Sequence, residues 1–336
     1  MTLNHPARYA EALTIDPYLL EPADLQLQLE SERMTPHIGY WADAWRRFRQ
    51  NRIAVLAMIA IFLLIFFAFV GPLFSPYTYA KGIRGDESLR PCLAHPFGTD
   101  NLGRDLLVRC MIGARISLSI GLGSALIVLV IGSIYGAISG LIGGLVDTVM
   151  MRIVDMINAL PTVLMVIAIK LVIETPLANL IESNSFFMPL RALGPGIIAV
   201  FLVYGLLYWI GMARIVRGQV LQIKRMEFVD AAIVCGSNRS RLIRKHLLPN
   251  CVGQLVVTTM LQIPSAIFTE AFLSFLGIGV SRPMASLGSL CSDALNGIVS
   301  YPYRMIFPAV LISLIILVFN LFGDGLRDAL DPRLKK

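Results

Sequence analysis

Residues 227–236 read EFVDAAIVCG, and a basic stretch leads from them to HLLPN at 246–250. This segment is polar and is punctuated by glycine and proline, whereas the sequence on both sides of it is apolar. The whole chain has 336 residues, of which 56% are hydrophobic and only 15% charged; a soluble domain carries about a quarter charged residues. The composition therefore predicts an all-α integral membrane protein in which residues 227–250 are a hydrophilic exception.

Six apolar runs are long enough to cross a bilayer as helices, which takes about 20 residues. They lie at about 53–74, 116–142, 149–173, 195–213, 252–280 and 305–323. Glycine and serine recur in the second run and allow close packing against a neighbouring helix. Pro161 in the third run and Pro264 in the fifth are tolerable inside a bundle, and we expect the fifth span to break near Pro264.

The remaining sequence predicts the organisation around these spans. Residues 1–36 are polar, contain four prolines and lack a signal-peptide pattern, which indicates a cytosolic N-terminal extension. Residues 37–52 predict an interfacial amphipathic helix, because three aromatic residues fall on one face opposite arginines: Trp41, Trp45 and Phe48. The six-span domain then covers 53–323, with a loop at 214–251 and a C-terminal tail at 324–336.

The distribution of positive charge predicts the orientation. Of the 29 Lys and Arg residues, 19 lie in segments on the side of the N-terminus and 10 on the other side, and cytoplasmic segments carry the excess. Both termini and the 214–251 loop are therefore expected in the cytoplasm. The net charge of +7 reflects this bias. The sequence contains no basic patch interleaved with aromatic residues, and it therefore does not indicate nucleic-acid binding.

Within the loop, residues 219–235 predict one helix, because they contain neither proline nor glycine. A narrow apolar stripe follows from the spacing of Phe228, Ala231, Ala232 and Cys235. Gly236 supplies the stop, and Ser237-Asn238 caps a second short helix that we expect to end before Pro249.

The pattern Asp230-Ala231-Ala232-x-x-x-Gly236, followed by Leu248-Pro249, resembles the EAA loop of ABC-importer permeases. Asp230 stands where that family usually has Glu, a change that keeps the charge. The resemblance implies that the short helix is a coupling helix that inserts into a groove on a nucleotide-binding subunit. The residues it assigns to this interface are Glu227, Phe228, Asp230, Ala231, Ala232, Gly236 and Pro249. The alternative is an ordinary cytoplasmic loop between two spans.

Four further stretches resemble the second, C-type permease subunit of the dipeptide/oligopeptide/nickel family: residues 95–105, 113–118, 270–280 and 320–333. Three departures concern the outer face and the substrate. Leu287 replaces a tryptophan usual in that family, the loop at about 174–194 is longer than usual, and the N-terminal extension is unusual.

This resemblance implies a type I ABC-importer permease of a bacterial cytoplasmic (inner) membrane, with three kinds of partner besides the lipid bilayer: a homologous second permease, two ABC ATPase subunits and an extracytoplasmic solute-binding protein. Short peptides are the implied substrates, with nickel chelates or other small solutes as alternatives. No G-x-x-x-x-G-K-[ST] motif exists in the chain, so ATP and Mg²⁺ are expected on the partner ATPases. We expect a non-catalytic subunit without a cofactor of its own, and the five dispersed cysteines indicate free thiols rather than a metal site.

Two intramembrane carboxylates leave another class open. Glu270 in the fifth span and Asp155 in the third are suspects for ion coupling, as in a self-sufficient secondary transporter. Glu270 also fits a buried hydrogen bond between helices, and Asp155 fits a pair with Arg152 or with the 214–251 loop. A third class, a non-transporting scaffold, would leave uptake unchanged on deletion. His95, Asp100, Arg104 and Asp105 indicate either a structural ion-pair network or part of the face that meets the binding protein.

Overall fold

The computed structural model describes residues 39–183, 194–280 and 284–330. These residues are helical apart from turns and one isolated bridge between Thr99 and Asp105. They belong to two compact units, one ending at Ala44 and one beginning at Trp45. The predicted extension at 1–36 lies outside the described residues, as do residues 184–193 of the loop predicted at about 174–194. Residues 174–183 of that predicted loop are helical instead.

Twelve α-helices are described. They are α1 (Tyr40–Gln50), α2 (Arg52–Phe69), α3 (Leu106–Ile142), α4 (Gly144–Asn158), α5 (Thr162–Ser183), α6 (Pro195–Leu207), α7 (Trp209–Ile223), α8 (Glu227–Val234), α9 (Arg239–Leu242), α10 (Leu248–Phe275), α11 (Leu287–Ala294) and α12 (Tyr303–Leu330). A π-helical turn, Ile243–Leu247, joins α9 to α10. Short 3₁₀ turns follow α2 and α11.

Six helical segments of the described chain are long and apolar enough to span a membrane, as the sequence predicts. They are α2, α3, α5, α6 with α7, α9 with α10, and α12. Several are longer than expected. α3 begins at Leu106 rather than near 116, α7 carries the fourth span on to Ile223, and α12 runs to Leu330, so residues 324–330 extend the last helix.

The two prolines expected inside spans have opposite effects. The third span predicted at 149–173 is wrong, because the chain breaks between α4 and α5 at Pro161, which has no N–H to donate and disfavours the helical conformation of Leu160. The break expected near Pro264 is also wrong. Pro264 is buried within an uninterrupted α10, where neighbouring helices support the backbone.

The centre of the bundle is α3, which packs against α2, α6, α7 and α10. Its closest contact is with α7, along glycines at every fourth position: Gly132, Gly136 and Gly140. A Cβ at Gly136 would collide with the backbone oxygen of Ala213, and one at Gly140 would lie 2.9 Å from a methyl carbon of Val220. Only glycine permits this approach of two helices.

At one end of the bundle, residues 75–105 fold into an ordered cap on α3. Asp105 accepts a hydrogen bond from the N–H of Val108 as the N-cap of α3 and another from His95 Nδ1 at 2.8 Å. Asp100 contacts Arg104 Nε at 2.7 Å and Arg109 Nη1 at 2.5 Å. These side chains form the ion-pair network that was one of the two alternatives for this stretch.

The pKa of Asp100 is lowered despite its burial. Burial alone raises the pKa, but the N–H groups of Arg104 and Leu102 and the positive charge of Arg109 outweigh it. The far end of the chain closes the cap, because the Tyr303 hydroxyl donates to the carbonyl oxygen of Leu89 at 2.7 Å. Arg304 Nε donates to the carbonyl oxygen of Thr99 at 3.2 Å.

We predict that Gly136→Ala destabilises the bundle by about 1–3 kcal/mol, the usual cost of overpacking, because the new methyl group forces α3 and α7 apart. Thermal unfolding of the purified protein in detergent measures the change. Gly211→Ala in α7 is the matched control, since a Cβ there meets no atom within 4 Å. Equal unfolding temperatures for the two variants would contradict the assignment of the glycine contact.

Candidate functional site

The polar segment between the fourth and fifth spans contains a short, separate helix. The single helix predicted over 219–235 is wrong, because α7 ends at Ile223 and α8 begins at Glu227. The intervening turn closes with the N–H of Met226 donating to the carbonyl oxygen of Ile223. Met226 is the extended N-cap residue of α8, and two carboxylates in the first turn, Glu227 and Asp230, suit the positive end of the helix dipole.

The end of α8 is a Schellman motif. The N–H of Ser237 donates to the carbonyl oxygen of Ala232 at 3.0 Å, and that of Gly236 to Ile233 at 2.9 Å. Gly236 has φ +80°, a conformation that side chains with a Cβ rarely adopt. The predicted stop at Gly236 is therefore present, and it turns the chain sharply into α9.

The inner face of α8 packs on the bundle. Val229 has no exposed surface and Ala232 is buried, and both belong to a core cluster with residues from α3, α7, α9, the π turn and α10: Leu141, Val220, Ile223, Leu242, Leu247 and Leu255. The predicted stripe is therefore only partly available for contact. Ala232 faces inward, whereas Phe228, Ala231 and Cys235 are exposed.

The outer face of α8 is an acidic and apolar surface. Its exposed members include Glu227, Phe228, Asp230, Ala231 and Gly236 from the predicted set. Sequence reasoning missed further exposed apolar side chains, among them Ile233 and Val234, the latter 87% exposed. A signal for them was available, since they continue the apolar run beyond the two alanines.

After the turn, the helix continues into the fifth span. Asn238 caps α9 by accepting a hydrogen bond from the N–H of Arg241 at 2.8 Å, as predicted. The short helix α9 ends before Pro249, at Leu242, but a π turn that the sequence did not predict joins it directly to α10. The π turn shifts the hydrogen-bond register, and Pro249 occupies the first turn of α10, where a missing N–H leaves no bond unmade. Asn250 Nδ2 donates to the carbonyl oxygen of His246 at 2.5 Å.

Charged contacts tie this region to the start of α4. Arg217 of α7 donates two hydrogen bonds to the carboxylate of Asp147, from Nε at 2.5 Å and from Nη2 at 2.6 Å, and Ser139 Oγ donates to the same carboxylate. The hydrogen bond from Arg217 is the main reason that the pKa of Asp147 is lowered. Lys224 Nζ donates to the carbonyl oxygen of Leu141 at 2.6 Å, which holds the turn before α8 against the end of α3.

Asp155 pairs with Arg214 of α7 at 2.8 Å on the surface. This is the second alternative predicted for Asp155, a contact with the 214–251 region, whereas Arg152 is exposed. Glu270 lies elsewhere, fully buried in α10, where it accepts hydrogen bonds from Ser117 Oγ of α3 at 2.8 Å and Ser274 Oγ at 2.7 Å. The structure thus gives Glu270 the interhelical hydrogen bond that was one of its two interpretations.

The arrangement can transmit force from the outer face of α8 to the bundle. α8 has one face fixed in a core shared with five other elements and one exposed face. Among residues 39–183, 194–280 and 284–330, no group of three His, Cys, Asp or Glu side chains is arranged to hold a metal ion. A push on the free face of α8 would therefore pass through Val229 and Ala232 into the helices that continue as spans.

Comparison with known proteins agrees with this geometry. Residues 132–336 match the family of binding-protein-dependent transport system inner membrane components. Residues 39–91 match the N-terminal TM domain of oligopeptide transport permease C.

Curated relatives cover nearly the whole chain. It is 43% identical over 318 residues to the oligopeptide transport system permease protein OppC of Bacillus subtilis, covering 95% of this chain and 98% of the relative. It is 42% identical to the dipeptide transport system permease protein DppC of the same organism, covering 90% and 88%. The glutathione transport system permease protein GsiD of Pectobacterium atrosepticum is 36% identical, covering 88% and 92%. The chain therefore belongs to the binding-protein-dependent inner membrane permeases, among the C-type ABC permease subunits of the oligopeptide and dipeptide group.

Proposed function

We propose that this chain is the transmembrane permease subunit of an ATP-driven importer of di- and oligopeptides. It forms the translocation path with a homologous second permease and receives its driving motion from two ATPase subunits through α8. A solute-binding protein delivers the substrate on the other side. ATP and Mg²⁺ bind to the ATPase subunits, since the sequence of this chain lacks a phosphate-binding loop.

The observation that carries the proposal is the two-sided character of α8. Its outer face combines exposed Phe228, Ile233 and Val234 with two carboxylates, a mixture suited to a protein groove because aromatic anchors dominate binding energy. Its inner face is locked to the bundle through Val229 and Ala232. Peptides as substrates are supported by the similarity to the oligopeptide and dipeptide transport permeases of Bacillus subtilis.

In the proposed mechanism, ATP binding closes the ATPase dimer and displaces α8. Because Lys224 holds the turn before α8 to α3 and the helical path after Gly236 continues into α10, the displacement moves α3, α7 and α10 together. The bundle then rocks against the second permease from inward-facing to outward-facing. This mechanism places α8 and both termini in the cytoplasm of a bacterium, in line with the distribution of Lys and Arg.

Gentle purification of the chain from its native membrane tests the proposal, and we expect the ATPase subunits to co-purify. Phe228→Ala should lower the recovered ATPase by about tenfold, because truncation of an interface anchor costs about 1–2 kcal/mol. Phe74→Ala is the matched control. Phe74 is also an exposed phenylalanine, but it lies in the 3₁₀ turn that follows α2, so its truncation should leave the amount of recovered ATPase unchanged. The proposal fails if wild-type protein carries no ATPase subunit.

Gly236→Val should reduce peptide uptake by about tenfold while ATP hydrolysis continues and membrane insertion is unchanged. A β-branched side chain at φ +80° costs at least about 1–2 kcal/mol and would distort the Schellman motif that orients α8. Uptake and ATPase activity in proteoliposomes measure the split. Gly218→Val is the control, because a Cβ has open space at both positions but only Gly236 has a positive φ. Normal uptake by Gly236→Val would rule out α8 as the coupling helix.

The ion-coupled alternative predicts that Glu270 carries protons. We expect Glu270→Gln to retain ATP-driven uptake within about twofold, because the amide can keep the hydrogen-bonded positions beside Ser117 and Ser274. Uptake is measured with and without an imposed pH gradient. Dependence of wild-type uptake on that gradient, lost in Glu270→Gln, would favour the secondary transporter.

A further inference from the structure

The corner between α4 and α5, residues 158–164, leaves backbone polar groups open. Two N–H groups there are satisfied, because Ala159 donates to the carbonyl oxygen of Asp155 and Leu160 to that of Ile157, and the carbonyl oxygen of Pro161 accepts from the N–H of Met165 just beyond the corner. In the part of the chain that the structure describes, six other groups have no hydrogen-bond partner. They are the N–H groups of Thr162, Val163 and Leu164 and the carbonyl oxygens of Asn158, Ala159 and Leu160.

This corner lies within the apolar thickness of the bundle. The Asp155–Arg214 pair marks where charged residues begin on α7. From Asp155 the chain runs six residues further to Pro161, about 9 Å at helical rise. It runs inward, because Ile157 packs in the cluster that contains Leu207. Beyond this level, residues 195–213 carry no charge. At helical rise they span about 28 Å, which matches the thickness of the hydrocarbon core of a bilayer.

Other irregular points in the described spans are covered by protein or leave the helix continuous, as at the exposed Pro176, where α5 runs on unbroken. At the junction of α6 and α7, Trp209 Nε1 donates to the carbonyl oxygen of Leu206 at 3.0 Å. Pro264 and Pro308 are both buried inside continuous helices. Residues 158–164 are all exposed. Lipid tails offer no hydrogen bonds, so irregular backbone at this depth is stable only beside protein or water.

A stripe of polar side chains on α4 indicates whether protein or water covers the backbone groups of this corner. Thr148, Arg152, Asp155 and Asn158 repeat at intervals of three or four residues, share one face and are all exposed. The stripe passes the level of the Asp155–Arg214 pair and reaches the corner between α4 and α5, where Thr162 follows it. A helix facing lipid would not carry such a stripe. A dry protein contact would have to desolvate its charges.

We infer that the α4–α5 corner lines the water-filled part of the translocation path, with the polar stripe on α4 leading water and peptide to it. The open N–H and carbonyl groups offer a passing peptide backbone the same hydrogen bonds that water makes. Such contacts are independent of side-chain identity, which suits a path for peptides of mixed sequence. This inference rests on the proposed function and adds which residues the path uses.

The test is thiol labelling of the assembled transporter in proteoliposomes. Leu160→Cys and Thr162→Cys are treated with a charged, membrane-impermeant methanethiosulfonate, and the modified peptides are quantified by mass spectrometry. Leu126→Cys is the matched control. Leu126 is also exposed and lies at the same depth, because Ile127 packs against Gly205. The native exposed Cys92 serves as the fully wetted reference.

We expect both corner thiols to react at least tenfold faster than the Leu126→Cys thiol, and their rates to change severalfold when a non-hydrolysable ATP analogue traps the transporter. Thr162→Cys, which hardly changes side-chain volume, keeps the test valid if Leu160→Cys fails to assemble. Rates within twofold of the control would overturn the inference in favour of lipid. Labelling of the isolated chain but not of the complex would overturn it in favour of a protein contact.

The two levels of proposal fail separately. A transporter that takes up peptide but labels at the control rate loses only the path assignment. A chain that never associates with ATPase subunits loses the proposed function whatever its labelling.

Discussion

The contact between α3 and α7 is the constraint on which the rest of the molecule depends. Glycines on α3 let the two helices approach until side chains of one meet the backbone of the other. In lipid, this close van der Waals packing replaces the hydrophobic effect as the force that holds helices together. Because α7 leads directly into the turn before α8, the same contact fixes where the short helix stands relative to the bundle.

Around this contact, polar groups are placed where a partner can satisfy them. Both ends of α3 are examples. Asp105 caps the first turn, and near the last turn Ser139 donates a hydrogen bond to Asp147, which also accepts one from Arg217. Glu270, the most deeply buried carboxylate of the described chain, is held between two serines on two helices. The exposed groups at residues 158–164 differ from this pattern and therefore indicate function rather than packing.

Much of this arrangement could be predicted from local sequence. The six spans, the stop at Gly236 and the cap at Asn238 follow from composition and from residues close in the chain. The errors concern the effects of prolines within spans and the face of α8 that is buried, because both depend on packing against segments that are distant in the sequence. Pro264 is supported by surrounding helices and Pro161 is not, and nothing within a few residues of either distinguishes them. Ala232 turns inward because Val229 packs into a core built from distant segments. Arg217 and Asp147 are 70 residues apart, a distance over which spacing carries no signal.

The hydrogen bonds from Tyr303 and Arg304 to the 75–105 cap have a consequence for biosynthesis. They join groups 214 and 205 residues apart. At about 5–20 residues per second, the ribosome needs on the order of 10–40 s to deliver the second partner after the first. During that interval the carbonyl oxygens of Leu89 and Thr99 lack their final donors, while four spans enter the membrane. The cap is therefore completed last, and a chain truncated before α12 would present it unfinished to quality-control proteases.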